Sequence, residues 1–116
     1  MADTFLLKVA DLTTTNATTV YTVPSTDESA VPPVKPTTAI IKSIRVANDS
    51  GDNDTITLTI TRSSAVYARE TVKAVNANIS TEMLSMPLVA NEGDIIKATA
   101  ATANRLHVLL SVLEIT

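Results

Sequence analysis

The side chains able to do chemistry in this 116-residue chain are few. His107 is the sole histidine, set between Leu106 and Val108. A lone histidine in an apolar, strand-like run is a structural residue far more often than a proton carrier. The chain has no cysteine, which removes disulfide scaffolds, thiolate zinc sites and thiol nucleophiles together. No serine sits in a Gly-x-Ser-x-Gly frame. The two glycines, Gly51 and Gly93, cannot build a phosphate-cradling loop. No catalytic residue, cofactor or metal site is therefore assigned, and the chain does not read as an enzyme.

Two acidic clusters have residue types that could hold a cation or move a proton. Asp49, Asp52 and Asp54 gather in one turn, and hard cations bind clustered carboxylates. The spacing fails the helix-loop-helix calcium pattern, and no bidentate glutamate follows, so a solvated turn is the better reading. Glu92 and Asp94 flank Gly93, but no apolar pocket separates their acidities as acid–base work requires. They read as a hairpin turn.

Partners are narrowed by charge and hydropathy. The net charge is −3 and only Phe5, Tyr21 and Tyr67 are aromatic, which argues against nucleic acid. Lys42, Arg45, Arg62, Arg69 and Lys73 are scattered among acids and form no run. A sugar-binding sandwich would have only Tyr21 and Tyr67 for stacking. No small-molecule substrate is expected. No apolar run, Val108-Leu109-Leu110 included, approaches the roughly 20 residues that span a bilayer. The start, Met1-Ala2-Asp3-Thr4-Phe5, lacks a secretory pattern, so a cytoplasmic origin is expected. The Asn-x-Ser/Thr triplets at Asn16, Asn48, Asn53 and Asn78 then read as turn chemistry.

The elements that position these residues are strands. Threonine occurs nineteen times, and with Val and Ile it favours the pleated sheet. Thr55–Arg62 alternates without error: Ile56, Leu58 and Ile60 share one face, and four threonines share the other. Ala39–Ala47 is a second strand, and the polar run 48–54 between them predicts a hairpin. Further strands are expected at 5–11, 18–23, 65–75, 79–86, 95–101 and 106–115. A short helix over the Ala-rich 98–103 is the competing reading there. About eight short, mostly antiparallel strands predict one all-β domain over 1–116, a sandwich or jelly roll.

Two features do not fit a single self-contained core. Ser25–Pro36 carries three prolines in five residues and forms a long loop. It is either a tolerated insertion or an arm lying on a neighbouring subunit. In 106–115, Leu106, Val108, Leu110 and Val112 point one way, while His107, Leu109, Ser111 and Leu113 point the other. Burial by the chain itself or a subunit interface would each explain Leu109 and Leu113. Leu6, Ile41, Leu84 and Val89 suggest more apolar surface than one core needs, and mean hydropathy is +0.22. The candidate interface is Phe5, Leu6, Val31, Val34, Leu109 and Leu113.

The stretches Thr18-Thr19-Val20-Tyr21-Thr22-Val23-Pro24, Ile41–Asn48, Thr55–Leu58, Pro87–Val89, Glu92–Ala98, Leu106–Val108 and Val112–Ile115 resemble small virion structural proteins of tailed bacteriophages. The resemblance implies a β-sandwich displayed in many copies on a virion. It implies a capsid decoration (cement) protein that binds itself and the major capsid protein, or else a tail, neck or fibre component. The Ser25–Pro36 loop departs from the group, which has a short Gly-containing turn there. No functional residue is carried over, because the group offers no catalytic motif to match.

Overall fold

The computed structural model describes residues 3–25, 29, 31, 37–84 and 86–115. They contain nine strands and no helix: β1 (Asp3–Asp11), β2 (Thr18–Thr22), β3 (Thr38–Asn48), β4 (Asp54–Arg62), β5 (Ala65–Val75), β6 (Ser80–Glu82), β7 (Leu88–Ala90), β8 (Ile95–Ala100) and β9 (Leu106–Ile115). The Ala-rich stretch is strand to Ala100 and then turns. The strands form two antiparallel sheets. One runs β1-β9-β3-β6, with β7 also on β3; the other runs β2-β8-β4-β5.

β6 lies along Arg45–Ala47 and β7 along Ala39–Ile41, so together they fill one interrupted strand position beside β3. Counted as one, the first sheet takes strands 1-8-3-6 and the second 2-7-4-5. That is the strand order of a jelly roll, a two-sheet sandwich of eight strands.

Alternation decides what the sandwich buries. Ile41, Ile44 and Val46 of β3 and Val108, Leu110 and Val112 of β9 join Ile56 and Leu58 of β4 and Ile96 of β8 in the core, all at most 1% exposed. Fully burying such a side chain stabilises the fold by about 1.5–3 kcal/mol. The threonines of β4 face outward, as the repeat predicts.

The expected hairpin between 39–47 and 55–62 does not form. β3 and β4 lie in different sheets, and the turn between them crosses from one sheet to the other. Buried Asn48 sets that crossing: its amide donates to the carbonyls of Asp52 (2.8 Å) and Val75 (3.1 Å), and its Oδ1 accepts from the Ser50 amide (3.0 Å) and hydroxyl (2.7 Å). The hairpin partner of β4 is β5, with Arg62 opposite Ala65. Ser63 and Ser64 take φ of 51° and 70° in that two-residue turn, the left-handed pair a type I′ hairpin needs. Gly93 also has positive φ, 81°, in the turn that leads into β8.

Three apolar residues read as surplus belong to the core or its flank. Ile41 and Leu84 are buried, and Leu6 packs against the core; only Val89 is exposed. Tyr21 is 4% exposed and cannot serve as a sugar platform. Its hydroxyl donates to Glu114, tying β2 to β9, and burial first, then Glu114, raises its pKa.

Candidate functional site

The acidic clusters are occupied by the fold. Asp49 accepts from His107 Nε2 at 2.8 Å, and Asp11 contacts Nδ1 of the same ring. Asp52 faces Arg105 at 3.5 Å. Buried Asp54 accepts from the amides of Thr55 (2.8 Å) and Thr102 (3.2 Å), closing the turn into β9. No cluster suited to a metal ion occurs among the described residues. Buried Asp94 receives Arg62 Nε at 2.9 Å and Nη2 at 2.6 Å, and the Asn91 amide at 2.8 Å. The guanidinium holds the Asp94 carboxyl below the usual carboxylate range, against the opposing effect of burial. These acids build turns.

The feature left over is a surface. The outer side of β1 carries Phe5, Leu7 and Val9, which are 72%, 62% and 65% exposed. The other side carries Leu6, Lys8 and Ala10, with Lys8 paired to fully buried Leu110. β1 thus turns three large apolar side chains to solvent and its lysine toward the core side. A one-residue slip would exchange the two sets, so the observed register keeps the apolar set outside.

Neighbouring strands continue that face. Phe5 pairs with Leu113, Leu7 with Ser111, and Val9 with Leu109. Across β9, Leu113 pairs with Ile40 of β3, and Ile40 with Val89 of β7. Lys42 holds its ammonium 5.6 Å from the centre of the Phe5 ring, a cation–π contact. Arg45 lies opposite Leu109 and is exposed. The His107 pair with Asp11 and Asp49 closes one end. Hydrogen bonding to Asp49 first, then the charges of Asp11 and Asp49, raise the His107 pKa despite partial burial.

The opposite outer face is different. β4 and β8 present Thr55, Thr57, Thr59, Thr61, Lys97 and Thr99 there, with Ile95 and the exposed Val66 of β5 on either side of Thr61. An antiparallel sandwich with two wetted faces would look like this on both sides.

Of the expected interface residues, Phe5, Leu109 and Leu113 meet on the apolar face. Leu6 turns the other way, toward the core. Val31 is 98% exposed. Val34 and most of the Pro-rich loop lie outside the described residues. Sequence reasoning missed Leu7, Val9 and Ile40. β1 is apolar at both parities, so alternation could not say which side faces in; Lys8 was the one signal, and it points inward. No family model, curated protein or solved structure matches this chain.

Proposed function

We propose that this chain is a phage virion structural protein, a capsid decoration protein that binds the assembled shell in many copies. The observation that carries the reading is the asymmetry of the two outer faces. One is threonine-rich and suits water; the other offers Phe5, Leu7, Val9, Leu109, Leu113 and Ile40 to another protein surface. The segment resemblance supports the virion context. The jelly-roll strand order supports it at the level of fold analogy, since viral capsid domains use that architecture among others.

The mechanism is mass action. A protein that binds the assembled shell and not its free subunits stabilises the shell. Symmetric repetition lets individually weak contacts sum. Electron microscopy of virions carrying this protein tests the reading through copy number and position. Copies on the order of hundreds over the shell are expected; a ring of about six or twelve at the tail or neck overturns the capsid assignment.

A further inference from the structure

Sheet edges are normally defended against pairing with other chains. Among the described residues the sandwich has four, and three are short, shifted or interrupted. β2 has five residues and a register break between Thr19 and Tyr21. β5 has two register breaks and Val72 at φ 49°. The β6/β7 edge is split into two three-residue strands with Pro87 just before the second. β1 differs in its backbone: nine residues, one unbroken register against β9, no proline, and no strand on its other side among the described residues, with the inward Lys8 as its edge charge.

The free hydrogen-bonding groups of that edge can be identified. The Leu12 amide donates to the Leu106 carbonyl at 3.0 Å. Antiparallel pairs alternate between bonded and non-bonded, so the even residues of β1 bond to β9. Asp3, Phe5, Leu7 and Val9 turn their backbone groups to the open edge, whereas the Asp11 carbonyl accepts from the Thr13 amide at 3.0 Å.

We infer that β1 is a dimerisation strand that pairs antiparallel with β1 of a second copy, centred on Leu6. The open edge is a template for another strand, and the residues of β1 are complementary to themselves in one register. Residues opposite each other must lie on the same side of a continuous sheet, so the two-fold falls on a residue. Centring on Lys8 would oppose two lysines. Centring on Leu7 would oppose Asp3 to Asp11 twice. Centring on Phe5 would leave fewer bonded pairs within β1. Centring on Leu6 opposes no like charges: Phe5 meets Leu7, Thr4 meets Lys8, Asp3 meets Val9, and Leu6 meets itself. Four bonded pairs would exchange about eight backbone hydrogen bonds. The apolar faces of the two copies would merge into one.

The inference rests on the proposed function only for the expectation that copies assemble; failure to dimerise leaves the copy-number test standing, and the reverse holds too. Sedimentation equilibrium of the purified chain should give twice the monomer mass. Leu7→Pro removes an amide from the open edge without taking a bond from β9, and should weaken dimerisation by roughly tenfold or more. Register is read by mild oxidation of single-cysteine variants, since the chain has no other thiol. Leu6→Cys should cross-link to a dimer, because a non-bonded antiparallel pair brings Cα atoms to about 4.5 Å. Lys8→Cys should not. A monomeric wild-type chain, or cross-linking at Lys8→Cys in place of Leu6→Cys, overturns the proposal. If Leu7→Pro fails to fold, the mass of the wild type and the cysteine pair still decide it.

Discussion

Two ion pairs with opposite pH behaviour anchor the ends of this sandwich. Asp94, buried and gripped by Arg62, has its acidity strengthened in the fold. Its contribution is present above the ordinary carboxylate pKa and is lost as pH falls through the lowered value. Asp94→Asn should therefore melt at a lower temperature than wild type near neutrality. The gap should narrow below about pH 4, which thermal melts across pH can check. His107 runs the other way, because its folded pKa is raised. Its contribution is full below the unfolded value of about 6.5 and is lost as pH rises through the folded one. As the sole histidine, its ring signals can be followed in an NMR titration. The midpoint should lie above about 6.5 and fall in Asp49→Asn.

At the scale of elements, the two-residue turn between β4 and β5 can be improved. Ser63 and Ser64 both sit in left-handed conformations that cost a residue with a Cβ about 1–2 kcal/mol. Ser64→Gly should raise stability by about 0.5–1 kcal/mol, after the added freedom of the unfolded chain is counted; denaturant melts would show it as a higher midpoint with unchanged slope. This turn also marks how far local pattern reaches. The strand Thr55–Arg62 was legible because alternation is local. The partner of that strand was not, because Asn48 redirects the chain through bonds to Asp52 and Val75, and nothing in the run 48–54 announces a crossing between sheets. Likewise the strand 106–115 showed apolar residues on both faces, but which of them looks outward depends on Ile44, Leu58 and other residues far along the chain. The candidate face was legible in half: Leu109 and Leu113 stood out against a polar alternative, while Leu7 and Val9 were hidden beside Leu6.

For the molecule as a whole, the division of labour between its faces sets what a mutation does. Leu109→Asp changes a half-buried outer residue opposite Val9 and Arg45 and leaves the core intact. The variant should fold, with a cooperative melt, and yet fail to bind shells in a co-sedimentation assay; normal binding would place the contact elsewhere. Leu110→Ala, one residue along, empties a fully buried site and should cost about 2–5 kcal/mol of stability.

The strand order has a consequence in time. β9 lies between β1 and β3 and is bonded along both, so β1 stays unjoined to the rest of its sheet until β9 has been synthesised. The hairpin β4–β5 can close earlier, since its partners are joined by two residues. β1, made before the other described strands, waits longest for its neighbour in the sheet. During that wait its apolar side chains and both of its edges are open, and the nascent chain is most exposed to mispairing with its sister copies.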